Sequence, residues 1–424
     1  MMENKKQKSQ DENPLGILNN CQICGKPSLE TIINLDHQPP CDLLPNAQEV
    51  KEEEIHYPIN VVRCISCGLV QLDFVPPPQI VFHKKYPYRT GITQMLVDNF
   101  KILAESTIKK FKLKQGSLIV DIGSNDGTAL QQFKNEGMKV VGIEPTDVAK
   151  IAQENGIPTI NKFFSEKVAE EVVKKYGQAS VVIATNVFAH INNLSSFMRG
   201  LDTLLPKKGV FISESQYLLD TIQKAQYDTM YHEHLRFYSL KPLQVLFKKF
   251  GFTLTDAERI ASSGGSIRVF ATKGKNLKAS QEVNRLIKNE EKAGLYKPST
   301  YKKFKERVEL SRLTLVKLLC ELKLAGKTTA GVGSPGRSSP VLNYCHIDPL
   351  LIPYLAEQSS SLKLGLFSPG THIPVVDEKR LFEEQPEYAL LLSWHIADTL
   401  IKKLRDRGLK SKFIIPLPEV KIIE

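Results

Sequence analysis

The sequence predicts an α/β protein made of a small N-terminal metal-binding unit followed by two αβ domains with parallel sheets. Three observations predict this class. Two Cys-x-x-Cys pairs lie near the N-terminus, a strand–glycine loop–helix pattern begins at residue 117, and a second such pattern begins at residue 329. A chain of 424 residues is long enough for two or three domains, each with its own core.

The composition is that of a globular protein, with 42% hydrophobic and 24% charged residues. Residues 1–16 are rich in Lys, Gln, Asn and Glu, and they predict a disordered tail that is neither a signal peptide nor a membrane anchor. The longest apolar runs have the length of a strand and are too short to span a membrane. These features predict a cytoplasmic protein with no membrane partner.

The net charge of +11 would suit either nucleic-acid binding or a small substrate that carries phosphates. The lysines and arginines are spread along predicted helices, and no run of them exceeds two residues. A solvated basic surface explains this distribution better than a nucleic-acid site does. The sequence therefore predicts no nucleic-acid partner, and the charge is compatible with a small phosphorylated substrate.

Four cysteines form two pairs with metal-ligand spacing, and a glycine follows each pair: Cys21, Cys24, Cys64 and Cys67. Four thiolates fill a tetrahedral zinc site and leave no position for water, so the predicted zinc is structural. A disulfide is the weaker alternative in a cytoplasmic chain, and a redox role lacks a thioredoxin-like context. The isolated cysteines are predicted to be packing residues: Cys41, Cys320 and Cys345.

The first αβ pattern places polar groups where two parallel strands end. Residues 117–122 form a continuous run typical of a buried strand, with Asp121 near its end, and a loop begins at Gly123. A helix is predicted next, and the following strand, Lys139–Ile143, leads directly into Glu144. A carboxylate at that position can accept both hydroxyls of a ribose.

The loop departs from the dinucleotide-binding pattern. Asn125 stands where Gly-x-Gly-x-x-Gly has its middle glycine, and an acidic strand end is unsuited to a pyrophosphate. Asp121 suits the sulfonium and amino groups of S-adenosylmethionine instead. The loop resembles motif I of the class I methyltransferases, with Glu144 as the acidic residue of motif II. This resemblance implies a Rossmann-like methyltransferase domain whose cofactor contacts include Asp121, Gly123, Asn125 and Glu144.

The third element of this domain is predicted over 179–187 and contains Thr185 and Asn186, which lie where methyltransferases contact the cofactor. His190 follows shortly after. It is either a buried capping residue or part of an active site on the cofactor side of the sheet. A further helix and a strand at 210–215 continue the doubly wound order.

Residues 227–238, which follow that strand, are dense in proton-transfer side chains and include Tyr231, His232, Glu233 and His234. Such groups gather where a proton must be removed near neutral pH. A hydrogen-bonded structural turn is the alternative. A metal site is disfavoured because His232 and His234 point the same way only in an extended chain, in which Glu233 points away.

The cysteine pairs, the glycine loop, the Ala189-His190-Ile191 triplet and residues 227–239 together resemble the sugar C-methyltransferases, which act on thymidine-diphosphate 4-keto-deoxysugars. The resemblance extends from the cysteine pairs to the C-terminus. It implies transfer of a methyl group from S-adenosylmethionine to a ring carbon next to the ketone of a nucleotide sugar. The carbon would become nucleophilic through an enolate generated by a base.

The resemblance also implies roles for individual side chains. His234 would be the base. Glu233, Tyr231 and His190 would position the sugar and stabilise the enolate. A phenol from Tyr86 or Tyr88 would close the site. The ordinary histidine pKa of ~6.5 suits the base, so no large shift is expected.

The C-terminal half predicts a helical connector and a second Rossmann-like domain. Family members carry a Gly-Gly-Ser-x-Arg segment like the one ending at Arg268, which implies a substrate contact there. A helical stretch over about 278–324 follows, with one proline break. Strand 329–334 leads into a loop with Arg337, which is either an anion cradle for the diphosphate or a simple turn. Further elements are predicted at 388–393, 397–407 and 412–415.

Three departures from the family pattern leave the identity of the sugar open. Arg337-Ser338 replaces the usual lysine-glycine, Ser263 replaces a frequent histidine, and the turn at 89–91 is one residue shorter than usual. An RNA or protein methyltransferase that docks through its zinc unit is an alternative function. Another transfer from the same cofactor and a non-catalytic scaffold that binds S-adenosylmethionine are further alternatives.

The predicted organisation has five parts: a disordered tail (1–16), a zinc-binding domain (17–85), the methyltransferase domain (86–275), a helical connector (276–326) and a substrate-binding domain (327–424). One chain supplies both walls of the expected cleft between the last domain and the methyltransferase domain. The sequence therefore predicts a monomer.

Overall fold

The computed structural model describes residues 15–84, 86–92, 94–275 and 277–424. Positions 1–14 of the predicted tail lie outside these residues. Its last residue, Gly16, begins the short strand β1 (Gly16–Ile17), which pairs with β5 (Phe74–Val75).

The N-terminal unit is built on antiparallel strands. Hydrophobic side chains of β2 and β3, such as Leu35 and Val61, are fully buried, which explains why this small unit has a core. The remaining elements of the unit are β2 (Leu29–Gln38), β3 (Tyr57–Cys64), β4 (Val70–Leu72), the 3₁₀ turn Glu49–Lys51 and helix α1 (Pro78–Val81).

The central domain contains a seven-stranded sheet in the order β12-β13-β10-β9-β6-β7-β8. Strands β6 to β10 run parallel, whereas β13 is antiparallel to both of its neighbours. Its strands are β6 (Leu118–Ile122), β7 (Lys139–Ile143), β8 (Thr159–Ile160), β9 (Val181–Thr185), β10 (Val210–Gln216), β12 (Phe252–Ile260) and β13 (Ser266–Lys273). Helices of this domain are α2 (Gln94–Phe111), α3 (Thr128–Asn135), α4 (Ala149–Glu154), α5 (Glu166–Tyr176), α6 (Leu194–Leu204), α7 (Leu218–Gln223) and α8 (Leu240–Lys249).

The acid–base segment connects the central domain to the N-terminal unit. Its two-residue strand β11 (Arg236–Phe237) pairs with β4 and becomes the edge of the N-terminal sheet, in the order β11-β4-β3-β2. Arg236 is almost completely buried and donates hydrogen bonds to the Gln22 side chain and the Ile191 carbonyl. The segment is therefore held by both units at once.

The C-terminal domain follows two helices, α9 (Gln281–Lys292) and α10 (Pro298–Leu324). Its six-stranded sheet has the order β16-β15-β14-β17-β18-β19 and is parallel except for β19. The elements are β14 (Thr329–Val332), α11 (Ser338–Tyr344), β15 (Leu355–Glu357), β16 (Val375–Asp377), α12 (Lys379–Glu384), β17 (Tyr388–Leu391), α13 (Ala397–Asp406), β18 (Lys412–Ile415) and β19 (Lys421–Ile423).

One hydrophobic core runs through all three units and includes Leu35, Phe188 and Leu390. A second, smaller core lies under helix α2. The predicted α/β class, with a zinc unit and two αβ domains, is confirmed, whereas the boundaries between the domains remain predictions. Across the described ranges, no helix is both long enough and apolar enough to cross a membrane.

Candidate active site

The glycine loop after β6 has the features of a cofactor site. Asp121 is buried, and its Oδ1 atom has no hydrogen-bond partner among the described residues. Burial and the neighbouring Glu144 raise the pKa of Asp121 well above its usual range. Gly123 has a φ of 74°, and a Cβ atom there would overlap the Val187 side chain. Only glycine fits at this position.

Glu144 shapes this loop from the end of β7. Its Oε2 accepts a hydrogen bond from the Asn125 backbone N–H at 3.0 Å. Its Oε1 accepts from the backbone N–H of Thr146 at 2.9 Å and from its hydroxyl at 2.7 Å. A carboxylate has about four acceptor positions, so Glu144 keeps capacity for a ligand hydroxyl. The unpaired Asp121 oxygen and this acceptor fit the cationic groups and the ribose of S-adenosylmethionine.

Thr185 and Asn186 lie at the carboxyl end of β9, beside the same loop. Asn186 has a φ of 57°, and its backbone N–H donates to the Glu214 carbonyl at 2.8 Å. The chain then turns through the 3₁₀ segment Phe188–His190. This turn carries His190 to the acid–base segment, because its ring centroid lies 5.0 Å from that of His234.

His234 is the centre of the acid–base cluster. Its Nδ1 lies 2.6 Å from the Thr229 carbonyl oxygen, which can only accept, so Nδ1 carries the proton and Nε2 has the lone pair. The Tyr231 ring centroid lies 4.2 Å away. Burial lowers the pKa of His234 to about 4, and the positive charge of Arg337 adds to this effect. The pKa of His234 therefore differs from the ordinary histidine value.

His232 faces the other way from His234. Its Nε2 lies 3.0 Å from the Tyr57 carbonyl oxygen on β3, in the N-terminal unit. The two histidines thus do not converge on one point, and the described residues show no metal-ligand cluster containing either of them.

Glu233 is buried and accepts hydrogen bonds at both carboxylate oxygens. The Tyr86 hydroxyl donates to Oε2 at 2.8 Å, and the Cys41 thiol donates to Oε1 at 3.4 Å. Burial raises the pKa of Glu233 to about 8, and the negative charge of Asp42 is the second cause. Glu233 is therefore mainly protonated at neutral pH, while His234 is mainly neutral.

A short segment links the acid–base cluster to the glycine loop. Tyr86 contacts Glu233, and two residues later the Tyr88 carbonyl accepts from the Asn125 side chain at 3.2 Å. The Asn125 Oδ1 in turn accepts from the Thr90 backbone N–H at 2.9 Å. The Tyr88 ring is 44% exposed, so it lies at the surface of this junction. The two sites predicted from sequence are therefore adjacent.

The two arginines predicted to bind substrate have protein partners. Arg268 is buried and pairs with Glu214 at 2.6 Å, and its Nη2 donates to the Asn99 side chain at 3.1 Å. These contacts hold β13, β10 and α2 together, and the role of Arg268 in substrate binding remains a prediction. Arg337 pairs with the buried Asp228 at 2.7 Å and lies near enough to His234 to lower its pKa.

The four paired cysteines converge, and their sulfur atoms all lie within 4.8 Å of one another. The Cys21–Cys67 and Cys24–Cys64 sulfur distances are 3.5 and 3.6 Å, close to the ~3.8 Å edge of a tetrahedron with Zn–S bonds of about 2.3 Å. Gly25 and Gly68 have φ values of 75° and 82°, as a turn around a metal requires. The cluster fits structural zinc and leaves no ligand position for water.

Three residues at the acid–base cluster were not predicted from sequence as part of it: Cys41, Asp42 and Lys363. Cys41 was predicted to be a packing residue, and it is buried, but its thiol also contacts Glu233. The Asp42–Lys363 ion pair joins residues 321 positions apart in the chain. No local motif marks any of the three, so single-sequence reasoning had no signal for them.

Three family models match the chain in succession. Residues 21–82 match "Putative zinc binding domain", residues 98–257 match "Methyltransferase domain", and residues 261–418 match "C-methyltransferase C-terminal domain". The first match contains all four clustered cysteines, and the second contains the glycine loop and the acid–base segment.

The chain is 30% identical over 411 residues to the C-methyltransferase NovU of Streptomyces niveus, which covers 96% of this chain and 97% of that protein. Among solved structures, magnesium protoporphyrin IX methyltransferase from Synechocystis PCC 6803 is 13% identical, with a TM-score of 0.33, over 42% of this chain and 83% of its own. The 1,6-didemethyltoxoflavin-N1-methyltransferase of Burkholderia thailandensis is 15% identical, with a TM-score of 0.33, over 42% and 78%.

Proposed function

The chain belongs to the sugar C-methyltransferase family and is an S-adenosylmethionine-dependent C-methyltransferase, and we propose that it methylates the ring carbon next to the ketone of a nucleotide-linked 4-keto-deoxysugar. The observation that carries this proposal is the orientation of His234, whose Nδ1–H donates to the Thr229 carbonyl. The lone pair on Nε2 is thereby held ready for a proton. A carbon beside a ketone becomes a nucleophile only after a base removes its proton.

The donor site is proposed to be the glycine loop. When bound, S-adenosylmethionine supplies a methyl group on a positively charged sulfur. The unpaired Asp121 oxygen would accept from the cationic groups of this ligand, Glu144 would accept a ribose hydroxyl, and the absence of a Cβ atom at Gly123 leaves room for the Val187 side chain beside the loop. Three polar side chains at the same edge of the sheet complete the proposed site: Asn125, Thr185 and Asn186.

The enolate oxygen would need hydrogen-bond donors, and the cluster contains several. Glu233 is protonated at neutral pH because its pKa is raised to about 8, so its carboxyl group can donate. The phenols of Tyr231 and Tyr86 also remain protonated, because burial raises the pKa of each well above its usual range. His190 would help to orient the sugar from the opposite side of His234.

The substrate would enter beside Tyr88 and place its diphosphate towards Arg337. Tyr88 is exposed at the junction of the two sites, and Arg337 is close enough to Tyr231 and His234 to influence the pKa of both. The net charge of +11 favours an anionic nucleotide sugar as the partner. We propose further that the enzyme is a cytoplasmic monomer with no nucleic-acid partner.

Proton abstraction can be tested separately from methyl transfer. The protein is incubated in deuterium oxide with thymidine-, cytidine- or guanosine-diphosphate 4-keto-deoxysugars and S-adenosylhomocysteine, and NMR locates deuterium in the ring. We expect deuterium exchange at one carbon beside the ketone. The same carbon should be methylated when S-adenosylmethionine is used in place of S-adenosylhomocysteine. Absence of both events with every sugar nucleotide would contradict the proposal.

A pair of histidine variants gives the matched control. His234→Gln should abolish exchange and methylation while leaving the affinity for S-adenosylmethionine unchanged. His232→Gln alters a histidine two residues away that contacts Tyr57 on β3 instead of the cluster. It should retain exchange, and equal losses in both variants would show that the segment has only a structural role.

A further inference from the structure

A buried ion pair between the outer units lies beside the acid–base cluster. The Lys363 ammonium of the C-terminal domain lies 2.6 Å from Asp42 Oδ1 of the N-terminal unit, with 11% and 7% of the two side chains exposed. The same ammonium donates to the Ser334 carbonyl at 2.9 Å. Charges this deeply buried are stabilised only when paired and hydrogen-bonded, so the arrangement fixes both groups.

The C-terminal domain also packs directly on the residues around this pair. A Cβ atom at Gly336 would lie 3.2 Å from both the Cys41 sulfur and the Asp42 Oδ2 atom. Cys41 in turn donates to Glu233 Oε1 at 3.4 Å. Contacts therefore run without interruption from the C-terminal loop, through the N-terminal unit, to the carboxyl group of Glu233.

The ligand atoms of Cys41, Asp42 and Glu233 lie within 4.8 Å of one another, as those of a metal site could. The Lys363 ammonium already provides the cation that Asp42 requires. This ammonium cannot be displaced or rotated away without burying an unpaired carboxylate. The geometry points to a role for the Asp42–Lys363 pair in determining the protonation state of Glu233.

We propose that Cys41, Asp42 and Lys363 are positioning residues for Glu233, and that the Asp42–Lys363 pair, which joins the two outer units, sets the proton on the group that would face the sugar. This inference rests on the proposed function, because it gives Glu233 a task in the reaction. It adds that the acid–base site depends on a domain contact outside the methyltransferase domain.

Charged and titratable groups from both outer units and from the segment before α2 surround Glu233. Asp42 opposes its ionisation, whereas Lys363, the Cys41 thiol and the Tyr86 hydroxyl favour it. The phenols of Tyr231 and Tyr88 are close enough for Glu233 to raise their pKa values. Removing Asp42 or Lys363 should therefore change the proton affinity of Glu233 in opposite directions.

The experiment follows the basic limb of the pH profile of kcat/KM in the full-length, zinc-loaded protein. Asp42→Asn should shift the limb to a lower pH by about one unit, because it removes a negative charge beside Glu233. Lys363→Met removes a positive charge and should shift the limb to a higher pH. If a single variant fails to fold, the double variant Asp42→Asn/Lys363→Met leaves no unpaired charge and should show a smaller downward shift. Limbs that stay at the wild-type pH in all folded variants would overturn the inference.

A docking contact away from Glu233 provides the control. Glu54 of the N-terminal unit accepts from the Gly370 backbone N–H at 2.9 Å, and it also contacts His372 in the C-terminal domain. Glu54→Ala weakens the same domain contact without altering a charge beside Glu233, so its limb should stay in place. An equal shift in Glu54→Ala would overturn the specific role of the Asp42–Lys363 pair.

A second measurement does not depend on turnover. Infrared difference spectra of wild-type protein and Glu233→Gln identify the carboxyl band of Glu233 and allow its titration to be followed. Asp42→Asn should lower the pH at which this band disappears. If Asp42→Asn shifts the titration of this band but the wild-type protein methylates no nucleotide sugar, the proposed function alone is disproved. If the band does not shift and the wild-type protein turns over normally, the positioning role alone is disproved.

Discussion

The glycine loop and the acid–base cluster are assembled in different ways. The loop lies within one βαβ unit of the central domain, and the contact between Asn125 and Glu144 joins residues only 19 positions apart. The contacts of Glu233 with Tyr86 and Cys41 join residues 147 and 192 positions apart. Donor binding should therefore survive changes outside the central domain, whereas proton transfer should depend on all three units.

Zinc removal should have the largest effect, because it should abolish function in the acid–base cluster while leaving donor binding at the glycine loop intact. Structural zinc contributes roughly 10–16 kcal/mol to the folding of small zinc-dependent units. Strand β4 of this unit pairs with β11 of the acid–base segment, so loss of zinc should displace that segment. We expect methylation to fall by the roughly 10²–10⁴-fold that positioned acid–base groups contribute, with donor affinity retained. Metal analysis, activity assays and calorimetry with S-adenosylmethionine check this outcome.

The matched cysteine variants are Cys24→Ser, inside the cluster, and Cys320→Ser, at an exposed cysteine on α10. Only the first should lose zinc and activity. Full activity in zinc-free protein, or loss of donor binding together with activity, would disprove the separation between the regions.

Gly123→Ala should damage the donor loop and spare the cluster. The left-handed backbone costs a residue with a Cβ atom about 1–2 kcal/mol, and overlap with Val187 adds to this. The dissociation constant for S-adenosylmethionine should rise roughly tenfold or more, with both limbs of the pH profile unchanged. Gly326→Ala is the control, because Gly326 has a similar φ of 71° in open space. Equal donor affinities in the two variants would contradict the assigned loop.

The pH profile should report the cluster alone. Burial lowers the pKa of His234 to about 4 and raises the pKa of Glu233 to about 8. Below pH about 4, His234 is protonated and has no free lone pair, and above pH about 8, Glu233 is ionised and cannot donate. Activity at a saturating donor concentration should therefore fall roughly tenfold per pH unit outside this window. A single limb near pH 6.5 would contradict these assignments.

The same contrast explains how much of the structure could be predicted from sequence. Strand β7, Lys139–Ile143, is predicted with its observed ends, and the helix predicted between the glycine loop and this strand is α3. Apolar runs and glycines determine these elements locally, so a single sequence contains their signal. Strand β12 was not predicted because its half-buried residues do not alternate cleanly.

Contacts between residues that are distant in the sequence could not be predicted from local patterns. The density of proton-transfer side chains in residues 227–238 predicts an acid–base site there, and that assignment remains a proposal. Burial by distant segments then changed the chemistry, lowering the pKa of His234 and raising that of Glu233. Arg268 shows the opposite case, in which a family-like segment supplies a buried ion pair to Glu214.

Tyr86→Phe should have the smallest effect, because it removes one hydrogen bond at the junction of the two regions. Such a bond contributes about 0.5–1.5 kcal/mol, so kcat should fall roughly two- to tenfold. The Tyr86 hydroxyl lowers the pKa of Glu233, so its loss should move the basic limb upwards. Donor affinity should stay constant, because the Tyr88 carbonyl keeps its contact with Asn125. Tyr176→Phe on α5 is the control. If Tyr86→Phe lowers the affinity for S-adenosylmethionine but leaves the basic limb of the pH profile in place, Tyr86 belongs to the glycine loop and not to the acid–base cluster.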